Sequence, residues 1–514
     1  MSRLLKNTTA SFAFRVFSMG LGFVSIPILV RAVGPAGYGI ILLSETVMGY
    51  FGVLNAGVPA GTVKYVAQFD SAGDRAMVRR VIATSFGFYL GAGLLAAVAV
   101  AAFALLGGVG VFNVGAELED AARNVLLIAA AMSLVSWPLS TLDQVLEGLQ
   151  RFPENKFALG VGSVASKVAG IVAALAGAPP AGIVACISAG TLLAYPLQYL
   201  AIQRAIPGWR LRMRDMSGET LRMILGYSSW MLLKKMSGLM VEKSDKIILG
   251  LMLPIASLTV YQVVLTPFRY IREFSFLFNS AVTPAVSASD AQHGRGSLDR
   301  YIYLLSRYSN AFVAPLGMAG IYLAGPFVEL WMGPEYATYA WIAQLACAFV
   351  VLGQANQTLS KVLYGSGHVR RITVLTFLLA ILNLPLGVWW TAEVGVAGVV
   401  LATIFVGLAS IPLQYLWVLP ELSVHRGRFF VETVLRGQGP SWLLGLALLP
   451  FWGRLQAIDS WAGVIAVGAG ILVAAGLVNW IVVVEPVHRA AILRRLRSLA
   501  RRGTVGGPGV SSGS

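Results

Sequence analysis

Ionisable residues lie inside long apolar runs, and thirteen of them are the chemistry singled out by this sequence. The cations are Arg15, Lys167, Lys234, Lys235, Lys243, Lys246, Arg269 and Arg272. The acids are Glu45, Asp143, Glu242, Asp245 and Glu273. A charge held at the lipid midplane costs about 2.5–3.5 kcal/mol, so such groups face one another, water or a ligand. Two pairs can form on a helix face, because Glu242 precedes Lys246 by four residues and Arg269 precedes Glu273 by four. Lys243 and Lys246 can also snorkel from an outer helix end, and Lys167 from an inner one. Pairing leaves an excess of three positive charges. Lys and Arg bind phosphate and carboxylate oxygens through charge-assisted hydrogen bonds, Arg with a two-pronged fork. The excess therefore calls for an anion.

The elements that position these groups are membrane helices. The chain of 514 residues is 57% hydrophobic and only 12% charged, with a mean hydropathy of +0.74. About a quarter of a soluble domain is charged. The runs are long enough to cross about 30 Å of hydrocarbon. We expect an all-α polytopic membrane protein with fourteen spans. They are roughly 10–33, 38–63, 81–106, 124–145, 157–178, 181–203, 221–250, 257–284, 303–328, 339–363, 372–391, 395–419, 440–455 and 461–484. The first run carries Arg15 and is too long for the apolar core of a signal peptide, so it reads as span 1.

The net charge is +16. In a soluble protein that would point to nucleic acid; here Lys and Arg orient the spans instead. Alternate connections, starting with the N-terminus and ending with the C-terminus, hold 26 Lys and Arg when Arg222 at the edge of span 7 is included. The other connections hold Arg31, Arg123 and Arg454. This bias places both termini in the cytoplasm and agrees with an even number of spans.

A duplication organises the spans. "PLQYL" occurs at Pro196–Leu200 and again at Pro412–Leu416. "AGIVACISAG" from Ala181 is echoed by "AGVVLATIFVG" from Ala397 at the same offset, and Tyr38 by Tyr261 at a similar one. Self-similarity at a near-constant offset marks an internal repeat. The repeated unit is six spans, so both copies cross in the same direction. We expect a first lobe at 1–215, a second at 216–425, two additional helices at 426–488 and a basic, then disordered, cytoplasmic tail at 489–514. Halves of this kind carry a substrate path between them. The charges concentrate on spans 1, 2, 7 and 8, which are equivalent pairs in that repeat.

Five strings are family-like: "LVRAVGPAGYGIILL" (29–43), "LEGLQRFPENKF" (146–157), "EKSDKIILGLML" (242–253), "FVELWMGPEY" (327–336) and "VLYGSGHVRR" (362–371). Together they resemble the polysaccharide-type flippases of the multidrug/oligosaccharidyl-lipid/polysaccharide exporter superfamily, over about residues 5 to 420. The resemblance implies two six-helix lobes with two extra helices and a place in the bacterial inner membrane. It also implies a polyprenyl diphosphate carrying an oligosaccharide as cargo, for lipopolysaccharide or exopolysaccharide synthesis. Membrane lipids, and a polysaccharide polymerase or export machinery, are the partners implied, with the protein itself a monomer. Lipid-linked peptidoglycan precursor flippases are similar in placing arginines on helices 1, 2 and 8 and an acid on helix 2. On this sequence the counterparts are Arg15, Glu45 and Arg269 or Arg272, with Lys64 at the end of span 2 where an Arg would stand. With Lys167, Lys234, Lys235 and Glu273 they form the expected substrate-binding set.

The strings also have structural readings. "GPAGYG" suits a tight outer turn, and Trp331 with Tyr336 suits an interfacial belt. No cofactor or metal is expected, since His293, His368, His425 and His488 lie outside the apolar runs and Cys186 and Cys347 sit singly within them. Two other functions fit the sequence less well. A cation or drug antiporter of the same superfamily wants lone buried carboxylates, against the net positive set. A membrane glycan polymerase or ligase wants an outer active site, and the longest outer loop is only about 107–123.

Overall fold

Gly34 bends the first helical element and lets two spans follow one another without unwinding. In the computed structural model, Ser2–Phe51 is helical apart from Gly34, whose φ of 72° is in the left-handed region that glycine tolerates. Pro35 follows with φ preset for the new helix. The structure describes residues 2–51, 58–226, 243–280, 298–365, 370–422, 424–490 and 493–494. Within these, the side chains of 2–16, 277–280, 298–301, 364–365 and 421–422 lie outside the description.

The expected spans map onto helices in order. Span 2 is described to Phe51 and again at Val58–Ser71. Span 3 is Arg75–Leu105, started by Asp74, whose carboxylate accepts from the Met77 N–H at 2.9 Å and satisfies an orphan helix donor. Span 4 is Glu119–Leu139 continued by Thr141–Gly148, interrupted next to Pro138. Spans 5 and 6 are Phe152–Leu175, then Pro180–Leu192 with Ala194–Ala205. Span 8 is Ser257–Ser280, and span 7 is described at Gly218–Gly226 and 243–252. Spans 9 to 12 are Leu298–Met332, Ala340–Gly365, Arg370–Val394 and Val396–Leu413. Span 13 is Arg436–Leu448 and span 14 is Trp461–Val482. Among the described residues, ten helices are long and apolar enough to cross a membrane.

The chain divides into two compact units, one of Met1–Val264 with Thr373–Val406, the other of Leu265–Ile372 with Gly407–Ser514. In the first unit, Val66, Ile82, Tyr89, Leu146, Ile202 and Ile224 build a core. Helices of spans 5 and 6 approach closely at Gly190, where a Cβ would lie 2.6 Å from the Ser166 backbone. In the second unit, Ile271, Val313, Cys347 and Val350 form one cluster, and Met318, Tyr322, Val464 and Ile471 another.

Echoed positions share burial. Gln198 and Gln414 are 0% and 8% exposed, Ile183 and Val399 both 0%, Tyr38 and Tyr261 6% and 5%. The proline of each "PLQYL" stands where regular α-geometry breaks. The first copy follows the interruption at Leu193, and the second runs into a π-helical turn, Gln414–Val418.

Two local expectations change. Trp331 and Tyr336 are buried rather than displayed at an interface; Trp331 packs on Phe327 one turn earlier on its helix, and Gly333, with φ of 109°, ends that helix before Tyr336. Lys246 is buried as well, rather than snorkelling outward.

Candidate functional site: two charged faces

The first face belongs to the first unit and is centred on Lys167. Its ammonium donates to Ser18 Oγ at 2.7 Å and to Ser163 Oγ at 3.0 Å, and the two hydroxyls lie 2.8 Å apart. Lys167 and Ser163 are one turn apart on the span 5 helix, and Ser18 comes from span 1. Glu45 of span 2 is within electrostatic reach of Lys167. Three helices thus place polar groups on one locus. Arg15 lies on the same helix as Ser18; its side chain is outside the described residues.

The rest of span 2 faces span 7 and the start of span 8. Gly49 leaves room for Lys243, whose Cε would lie 3.0 Å from a Cβ there. Asp245 is 5% exposed and accepts a hydrogen bond from Tyr261 Oη at 2.8 Å, with Tyr50 in its field. Lys64 is exposed on Val58–Ser71, its ammonium 4.9 Å from the Tyr65 ring centroid. Lys234 and Lys235 lie outside the described residues.

The second face belongs to the second unit. On Ser257–Ser280, Phe268 and Ile271 pack into the apolar cluster and Ser275 is buried. That stripe turns the next positions away from the core. Arg269, Arg272, Glu273 and Phe276 follow the i, i+3, i+4, i+7 spacing of a single helix face. Arg269 and Glu273 are half-buried, and Arg272 and Phe276 are exposed. Ser275 donates to Gln354 Oε1 at 2.6 Å, and Gln354 donates to Ser309 Oγ, which fixes the rotation of the helix.

Sequence reasoning missed four contributors. Ser18 and Ser163 are ordinary residues in apolar runs, and no spacing signals them. Lys361 lies inside span 10, and its ammonium sits 5.3 Å from the ring centroid of Phe276, on the face that carries Arg272. Its position within an apolar run was the available signal. Arg307 is 4% exposed and bridges Glu432 at 3.2 Å and Glu485 at 2.5 Å, with Tyr308 accepting or donating to His488 Nδ1 at 2.6 Å. That cluster ties the helix of span 9 to the π-helical turn Phe430–Leu435 and to the end of span 14.

A family profile described as polysaccharide biosynthesis protein matches residues 28–340. The chain is 22% identical over 515 residues to a protein of Bacillus subtilis (strain 168) named uncharacterized membrane protein EpsK, covering 96% of this chain and 97% of that one. Among solved structures it is similar to the lipid II flippase MurJ in an inward closed conformation. The TM-score is 0.67 at 13% identity, over 92% of this chain and 99% of MurJ. An inward-facing multidrug resistance MATE family transporter of the MOP superfamily matches with a TM-score of 0.61 at 17% identity, over 79% and 94% of the two chains.

Proposed function

Since the chain belongs to the polysaccharide biosynthesis protein family and has the fold of MOP-superfamily transporters, we propose that it is a flippase. Its cargo is a polyprenyl-diphosphate-linked oligosaccharide repeat unit, moved across the inner membrane for surface polysaccharide assembly. The observation that carries this reading is the pair of faces that bear cations, one in each unit. Lys167 is held by Ser18 and Ser163 in one unit, and Arg269 and Arg272 share a helix face in the other. Charges so costly in hydrocarbon are retained where they bind something, and a diphosphate offers the oxygens that guanidinium and ammonium groups bind best.

In this reading the lobes are 1–215 and 216–425, and the arginines at 15, 269 and 272 clamp the diphosphate from both. Lys64, Lys167, Lys234 and Lys235 extend the positive field, and Glu45 and Glu273 orient the cations. Alternating access lets one gate close while the other opens around a fixed site. The lipid tail stays in the bilayer, flanked by spans 13 and 14. The protein acts as a monomer with both termini in the cytoplasm, performs no bond-making step, and hands its cargo to a polymerase outside.

The test is deletion of the gene, followed by mass identification of the accumulated lipid-linked glycan and complementation with Arg15→Ala, Arg269→Ala and Arg272→Ala at matched membrane abundance. A flippase's loss leaves the lipid-linked unit inside, and each variant exports poorly, with Arg→Lys restoring only part because the planar fork is lost. Full export by all three variants overturns the assignment of the clamp. Accumulation of the unit on the outside points to a polymerase or ligase instead.

A further inference from the structure

One residue of the loop between spans 3 and 4 binds both limbs of the turn between spans 7 and 8. The Asn113 N–H donates to Gly250 O at 3.0 Å, and the Asn113 carbonyl accepts from the Ile255 N–H at 3.1 Å. Its side chain Nδ2 adds a bond to Leu251 O at 3.1 Å. Phe112 is buried against the same turn, and a Cβ on Gly250 would lie 3.2 Å from its ring. The opposite side of the turn is held by the bend between spans 1 and 2. Thr259 Oγ1 donates to Pro35 O at 2.6 Å. Gly39 offers bare backbone where a Cβ would overlap the Ile255 carbonyl.

These connections share one side of the membrane by helix count, the side poor in Lys and Arg. Spans 1 to 4 belong to the first copy of the repeat, and spans 7 and 8 open the second. All of these residues lie in the first compact unit, where the contacts join helices of the first copy to those that open the second. Their chemistry suits a joint that opens. Asn113 is exposed, it makes neutral hydrogen bonds to main-chain groups, and water replaces such bonds at small net cost.

We propose that Asn113 is the clasp of an outer gate, which must release Gly250, Leu251 and Ile255 before cargo leaves the cavity outward. This rests on the alternating-access reading above. The hydrogen bond from its side chain sets the balance between closed and open mouths. Asn113→Ala removes that bond and leaves the main-chain pair.

The experiment uses the full-length protein in membranes with Cys186→Ala and Cys347→Ala. A cysteine pair is introduced by Asn113→Cys and Leu251→Cys, then oxidised or bridged with a short bismaleimide. The clasp predicts that the pair cross-links, that export of surface glycan stops, and that reduction of the disulfide restores it. A pair that fails to react with either reagent, or one that cross-links while export continues, overturns the proposal. A second readout does not depend on the cargo: labelling of Ser18→Cys by an impermeant thiol reagent added outside. Cross-linking abolishes it, and Asn113→Ala raises it about fivefold, the population shift that loss of one hydrogen bond gives. If labelling is gated but no lipid-linked glycan moves, the clasp stands and the cargo assignment falls. If Asn113→Ala leaves labelling unchanged, the side chain is no clasp.

Discussion

Lys167 Nζ lies 2.7 Å from Ser18 Oγ, joining the helix of span 5 to the helix of span 1. An ammonium so placed is neither at a helix end nor in an acidic pair closed by contact. It is held by hydroxyls, which leaves its charge available. Lys167→Met should therefore lower export by about tenfold to a hundredfold, the range for losing a hydrogen bond to a charged group. Ser18→Ala should cost less, since Ser163 still holds the amine. The measurement is export at matched membrane abundance; unaltered export by Lys167→Met would remove the residue from the site.

Gly190 is the closest approach of spans 5 and 6. A Cβ there meets the Ser166 backbone at 2.6 Å, which cannot rotate away. Gly190→Val should destabilise the protein by about 1–3 kcal/mol, as overpacking does. Gly91, with nothing within 4 Å of its Cβ position, is the control: Gly91→Ala should keep the melting temperature of the parent in detergent. Equal melting of both variants would contradict the packing described.

The helices were readable because hydrocarbon imposes length and apolarity on each one. The face of Arg269, Arg272 and Glu273 was readable too, since spacing along one helix is local. Contacts between helices were not. Ser18 and Ser163 became partners of Lys167 only through packing of spans 1 and 5, and Lys361 met Phe276 through packing of spans 8 and 10. Arg307 was hidden for another reason. Its acids, Glu432 and Glu485, stand 125 and 178 residues away, beyond any pairing rule that works along one helix.

Arg307 staples the last two spans to span 9, and its loss takes from Glu432 and Glu485 the buried cation they share, leaving Arg436 beside one and His488 beside the other. Arg307→Ala should destabilise the protein by about 3 kcal/mol, the scale for breaking a pair with a buried member. Adding Glu432→Gln and Glu485→Gln should recover part of the loss, because neither position then carries a charge that had been paired with Arg307. Thermal unfolding in detergent distinguishes this from a surface ion pair, for which all of these variants would melt together.

The charge bias predicts topology. A tag at His293 and one at the C-terminus should be protected from outside, and tags near Glu117 and Glu335 should be reached. Substituted-cysteine labelling in whole cells checks it. Labelling of position 335 only after permeabilisation would break both the fourteen-span arrangement and the repeat alignment.

The most direct test of a diphosphate-binding flippase is translocation in liposomes containing only the purified protein and a fluorescent polyprenyl-diphosphate-linked oligosaccharide. Protein-bearing vesicles should move the lipid between leaflets, leave its mass unchanged, and lose that ability when Arg269→Ala and Arg272→Ala are combined. A rate equal to that of protein-free vesicles, a rate unchanged by the double substitution, or a lipid altered in mass would contradict the account.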